Sequence, residues 1–214
     1  LKATAGEQFE RELPEPGMMR ARCVVVLDLG THKDAKFLDK KGQPVKRHLI
    51  QVQFELDQMM TYEGEQKPMM ATMRQTLSLG EKANLRKHLE TWRGKKFTEE
   101  EIKDGFDVSK LLGKPALLNI QHSEDGKYAN VVSINPPIKP IPAGSDGAGP
   151  QYYPSRFFDL SAPSADVWAT LSQKTRDFIK ECEEVKSGQV ELPMMPQAET
   201  GTPAATPRAD GSPF

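Results

Sequence analysis

From position 47 the chain reads RHLIQVQFELD, in which Ile50, Val52, Phe54 and Leu56 alternate with Gln51, Gln53 and Glu55. Such period-2 alternation belongs to an extended strand with one wet face and one face that other elements must cover. Residues 70–80, MATMRQTLSLG, alternate again: Met73, Gln75, Leu77 and Leu79 fall on one side, Thr72, Arg74, Thr76 and Ser78 on the other. Upstream, RARCVVVLDLG (20–30) is a β-branched, apolar run stopped by Gly30, and the polar THKDAKFLDKKGQP that follows reads as a long loop. Three strands therefore come first, the second and third joined through a turn near Gly64 and Pro68.

The period then changes. Leu85, Leu89 and Trp92 stand at i, i+4 and i+7 and are followed by Gly94, which predicts an amphipathic helix with Ser78 or Gly80 as its cap. Thr98 before Glu99, Glu100 and Glu101 is a second capping signal, expected to open one or two short helical turns closed by Gly113. Residues 114–137 hold two β runs separated by Glu124, Asp125 and Gly126, an Asp-Gly hairpin signal. Three strands, a helical insertion and a closing hairpin make a mainly β chain and match the five-stranded OB-fold-like barrel with a helix between strands three and four. A half-open sheet crossed by one helix has the same element order.

Beyond Pro136 the chain is too rich in Pro and Gly for regular structure, and SRFFDL (155–160) is an edge strand or a packing strap. Val167, Trp168, Leu171, Phe178, Ile179 and Cys182 after a Ser164 cap predict one C-terminal amphipathic helix over 161–185. Residues 186–214 lack the apolar content to offset the entropy of ordering and are expected to form a disordered tail. The expected organisation is an N-terminal arm (1–16), the barrel domain (17–160), the helix (161–185) and the tail (186–214).

Function classes narrow by elimination. No G-x-S-x-G, G-x-x-x-x-G-K-[ST] or G-x-G-x-x-G occurs, and His32, His48, His88 and His122 have no ligand spacing, so no enzyme activity, metal or cofactor is expected. Cys23 and Cys182 read as plain thiols of a reducing compartment. No apolar run approaches the roughly 18 residues of a membrane span, so a soluble, intracellular protein without a membrane partner is expected.

Charge is more informative in pieces than in total. The net −1 resolves into −2 over residues 1–16, +4 over 17–160 and −3 over 161–214. Within 20–47, Arg20, Arg22, Lys33, Lys36, Lys40, Lys41, Lys46 and Arg47 face only Asp28, Asp34 and Asp39. On an OB barrel this cluster falls on the face that takes single-stranded nucleic acid, where cations track phosphates and aromatic rings stack on unpaired bases. The stacking candidates are Phe37, Tyr62 and Tyr128; Lys67 and Arg74 can reach the same groove.

The ending DGSPF resembles the acid-rich Pro-Phe tip of bacterial single-stranded DNA-binding proteins, with Asp210, Pro213 and Phe214 at the matching positions. The segments TLSLGEKANLRKHLETWRGKKFTEEE and LLGKPALLNIQHSEDGKYANVVSI are similar to small proteins of phage and prophage replication regions. These resemblances imply a phage-encoded, non-enzymatic single-strand binder working in a bacterial host cytoplasm during replication, recombination or repair. They also imply that Asp210, Pro213 and Phe214 dock on replication or recombination proteins. The alternative is a protein-interaction adaptor of a phage replication module with no DNA affinity of its own; whether the chain forms a homo-oligomer is left open.

Overall fold

The structure, a computed structural model, describes residues 12–138 and 149–194. It is mainly β: one open sheet of six strands with a few short helices. The strands are β1 (Gly17–Leu38), β2 (Pro44–Tyr62), β3 (Glu65–Thr76), β4 (Pro115–His122), β5 (Ala129–Asn135) and β6 (Arg156–Phe158). Their order is β3-β2-β1-β4-β5, all antiparallel, with β6 added in parallel to β1 at Val25–Leu27. β4 pairs with Gly17–Arg22 and β6 with Val25–Leu27, so the short strand occupies the β1 edge that β4 leaves free. SRFFDL is thus an edge strand.

The apolar residues of β2 and β3 face one core as their period requires, but the polar face of β2 is not wet: Gln51 is 3% and Glu55 5% exposed. Ile50, Val52, Phe54 and Leu56 pack with Met69, Ala71 and Met73 under α1 (Asn84–Arg93), whose Leu85, Leu89 and Trp92 close the first core. Trp92 lies 5.6 Å from Phe54 and donates its indole N–H to the Pro115 carbonyl at 2.7 Å. A second core covers the opposite face of β1. Val24, Val25, Leu27 and Leu29 meet Phe158, Leu160, Trp168, Leu171 and Ile179 there. β1 is covered on both faces, with Ala21, Cys23 and Val26 in the first core, which is why its run is continuous rather than alternating; bulges between Cys23 and Val25 and between Asp28 and Gly30 shift its register on β2. Gly30 has φ +76° and sits so close to Cys182 that a Cβ would lie 2.7 Å from its Sγ. Only glycine fits there. Both cysteines are buried free thiols, and burial pushes Cys23 up to about 12.

Several expectations change. The barrel is not closed: among the described residues no ladder joins β3 to β5, and α1 spans the gap instead. The His88 ring of α1 is hydrogen-bonded to the Gln75 amide of β3 at 2.7 Å, and His88 lines one cleft with Asn130 and Val131 of β5. The predicted loop after Gly30 is strand. β1 runs to Leu38 and β2 begins at Pro44, because Asp39 closes the ribbon by accepting the amides of Lys41 and Gln43 through Oδ1 at 2.8 and 2.9 Å. The N-cap of α1 is Ala83, not Ser78 or Gly80; Ser78 Oγ accepts the Gly80 amide instead. Thr98 and Glu101 do form the reciprocal capping box of α2 (Glu99–Asp104), and a 3-10 turn follows at Val108–Leu111.

The single C-terminal helix is in fact three, α3 (Ala165–Thr170), α4 (Gln173–Lys180) and α5 (Glu183–Lys186). Leu171 and Cys182 are extended, at ψ 145° and 158°, and Ser172 restarts the chain by capping Thr175. The tail's first residues are also placed. Val190 and Leu192 pack on the second core. At the other end, His122 donates to the Pro14 carbonyl at 2.8 Å and ties the arm to β4.

Candidate nucleic-acid interface

Beyond the bulge at Asp28–Gly30, β1 and β2 leave the sheet as a two-stranded arm. His32 stands opposite Arg47 and Lys33 opposite Lys46, so each pair shares one face of the ribbon. Lys40 and Lys41 occupy the tip, where Gly42 adopts φ +74°. Among the described residues, Lys33, Lys36, Lys40 and Lys41 are exposed and have no carboxylate within 4.0 Å. Lys46 is paired with Glu183 at 2.7 Å. Phe37 is 52% exposed, and the Arg47 guanidinium lies 4.2 Å from its ring centroid while also facing Asp34 at 3.4 Å. Cation and ring together hold the phenyl group out in water.

The base of the arm is anchored by the C-terminal segment. Phe178 of α4 receives both the His32 ring, stacked at 4.1 Å, and the Arg74 guanidinium at 4.4 Å. Arg74 also donates from Nε to Gln51 at 2.9 Å, and burial lowers its pKa. On the other face, Glu184 of α5 accepts the Thr31 amide at 2.8 Å and its hydroxyl at 2.6 Å. Burial opposes ionisation of Glu184, but these two donors outweigh it and bring the carboxyl down to about 2. His48 lies between Asp28, at 2.6 Å, and Glu184, at 3.8 Å. The hydrogen bond to Asp28 raises its pKa against the opposing effect of burial.

This clamp has a pH signature. A raised folded-state pKa means that the His48 contribution is complete below its ordinary value of 6.5 and disappears as pH rises through the raised value. Urea midpoints of the wild type and of His48→Gln should therefore differ most near pH 5.5 and converge by pH 9. A gap that is constant across that range contradicts the assignment.

A cleft of about 970 Å³ opens beside the arm, between the last residues of β3, the start of α1 and Asn130 and Val131 of β5. Arg47 and Arg74 line it together with Lys82, and Asp34 and Glu81 are its acids. A second, more apolar cleft of about 680 Å³ lies between α1 and the 3-10 turn, walled by Trp92, Phe97, Phe106 and Leu111.

The structure thus gathers Lys33, Lys36, Phe37, Lys40, Lys41, Lys46 and Arg47 on one arm and sets Arg74 at its base. It separates the rest. Arg22 is 8% exposed and donates to the carbonyls of Gly113, at 3.1 Å, and Gly149; it secures two loops and presents no surface to a ligand. Arg20 is exposed at the other end of β1, opposite Leu117 and near Asp57. Tyr62 and Lys67 belong to the β2–β3 hairpin, roughly 50 Å along β2 from Arg47 at about 3.3 Å per residue. Lys67 lies 5.5 Å from the Tyr62 ring but is paired with Glu65 at 2.8 Å. Tyr128 is 64% exposed in the β4–β5 turn, two residues before the cleft-lining Asn130. Asp210, Pro213 and Phe214 lie outside the described residues.

Two aromatics escaped the sequence reading. Phe178 carries the helical spacing of a core residue, and Tyr152 sits in a Pro/Gly-rich stretch without periodicity. Tyr152 is half exposed, its amide held with that of Tyr153 by the buried carboxylate of Glu55.

No protein-family model and no curated protein matches the chain. Among the described residues, no group of three or more His, Cys, Asp or Glu side chains is placed to hold a metal, and no helix is long and apolar enough to cross a membrane.

Proposed function

We propose that this protein binds single-stranded DNA without catalysis, using the β1–β2 arm and the adjoining cleft as its contact surface. The observation that carries the reading is the arm itself: four exposed lysines, without acidic partners among the described residues, share the ribbon with an exposed phenyl ring packed against Arg47. A flexible anion with unpaired bases is the ligand that such a surface suits, since lysines neutralise phosphates and an exposed ring stacks on any base. The strand order supports an OB-type scaffold. A barrel with the order β3-β2-β1-β4-β5 would close through β3 and β5, the two strands that flank the larger cleft. The arm then corresponds to the loop between strands one and two, a usual nucleic-acid contact of that fold. A role in phage replication or recombination, a bacterial cytoplasmic setting and recruitment of partners through Asp210, Pro213 and Phe214 complete the proposal.

Fluorescence anisotropy with a labelled 30-nucleotide oligo-dT and with a duplex of equal length tests the reading. Tighter binding of the single strand is expected, because stacking on Phe37 requires an unpaired base. Equal or stronger binding of duplex overturns it. The second reading, a protein-interaction adaptor, is favoured by the apolar cleft beside Trp92 and Phe106. It requires that neither nucleic acid binds.

A further inference from the structure

Three flat groups are stacked where the arm leaves the sheet. The Phe178 ring carries the His32 ring at 4.1 Å, with 22° between the planes, and the Arg74 guanidinium at 4.4 Å. One face of a phenyl ring cannot hold two groups at such distances, so they lie on opposite faces and the order is His32, Phe178, Arg74. The inner layers are fixed by the fold. His32 Nε2 is bonded to the Leu29 carbonyl at 2.9 Å, and Phe178 packs on the second core.

The outer layer is fixed as well, but it is not covered. Arg74 donates from Nε to Gln51, which is 3% exposed, and this bond and the ring beneath it set the guanidinium plane. The residue is nevertheless exposed and lines the larger cleft together with Arg47. Among the described residues no carboxylate lies within 4.0 Å of Arg74, and Phe178 is the one ring it contacts. The stack therefore ends on a planar cation whose outer face opens to the cleft. A cation that merely neutralised a phosphate would gain nothing from a fixed plane, as the unrestrained lysines of the arm illustrate. A flat ligand gains from it directly, because a guanidinium held in one orientation stacks on an aromatic surface without further loss of freedom.

Resting on the single-strand reading above, we infer that Arg74 is a stacking platform, and that an unpaired base of the bound strand lies on it as the fourth layer after His32, Phe178 and Arg74. Bases stack on guanidinium planes as they do on aromatic rings, and every base has such a face, so the platform is indifferent to sequence but demands a base. Phe178 is its positioning residue. Arg47 is the cross-strand neighbour of His32 and is itself packed on Phe37, so the platform and the exposed ring of the arm belong to one path across the ribbon and into the cleft.

The test compares oligo-dT with an abasic strand of equal length, which keeps the phosphates and lacks the bases, on the full chain and on two variants. Arg74→Lys keeps the charge and removes the plane; Phe178→Leu keeps an apolar side chain in the second core and removes the support. Each variant should bind oligo-dT about 5-fold or more weakly than the wild type, the equivalent of one base stack lost. Affinity for the abasic strand should stay within about 2-fold, and the salt slope of Arg74→Lys should equal that of the wild type because no phosphate contact is lost. Loosening of the fold would weaken both strands alike, so the selective loss separates positioning from a structural role. Equal weakening of the two strands in either variant, or unchanged oligo-dT affinity, overturns the platform and leaves the single-strand reading standing. Failure of the wild type to bind either strand overturns the single-strand reading, and the platform with it.

Discussion

Replacing Trp168 by alanine should cost about 3–5 kcal/mol, a large part of the 5–15 kcal/mol that holds a typical domain together. Trp168 is 2% exposed, its ring lies 5.7 Å from that of Phe158, and Leu160, Leu171 and Ile179 complete its surroundings. Removal of the indole leaves a cavity between α3 and β6, and α3 and α4, each held by its own serine cap, have little freedom to fill it by shifting. The consequence extends beyond the C-terminal segment, because Val24, Val25, Leu27 and Leu29 of β1 share that core. Urea unfolding followed by far-UV circular dichroism should therefore show one transition at a lower midpoint. Two transitions, with the sheet surviving after the helices melt, would mean that residues 149–194 fold as a separate unit laid on the sheet.

That arrangement was only partly legible in the sequence. Period-2 alternation located β2 and the inner face of β3 because one side of each strand is apolar, and the Leu85–Leu89–Trp92 stripe located α1 in the same way; it did not show that the polar side of β2 is covered as well, at Gln51 and Glu55. The arm gave no such signal. Neither face of residues 31–38 is fully buried, so polar residues occupy both, and a solvated ribbon then has the composition of a loop. Arg22 was misplaced by the opposite effect: β1 is buried on both sides, so a charge within its run pointed to loop carbonyls rather than to water. Helical spacing from Val167 to Cys182 described three short helices as one, since an apolar stripe does not record the extended residues at Leu171 and Cys182. The cleft was beyond reach for a different reason. It is made where β3, α1 and β5 meet, and no local pattern reports which ends of separate elements converge.

The arm carries the largest functional expectation. Each lysine that neutralises a phosphate releases a counterion, and for a single strand each contact adds about 0.7 to the steepness with which affinity falls in a plot of log affinity against log salt. Lys33, Lys36, Lys40 and Lys41 are exposed, lack acidic partners among the described residues and help bury no core, so changing all four to glutamine should leave the fold and its unfolding midpoint unchanged. If each touches one phosphate, the variant loses roughly 3 units of salt slope and two to three decades of oligo-dT affinity near 0.1 M salt. Arg20, at the far end of β1, serves as the control: Arg20→Gln should change neither quantity appreciably.

The most direct measurement is the affinity of the full chain for a 30-nucleotide oligo-dT between 50 and 300 mM salt, run beside the four-lysine variant. The structure predicts steep salt dependence in the wild type and a slope shallower by roughly 3 in the variant. Superimposable lines for the two proteins would contradict the assignment of the arm as the DNA-binding surface.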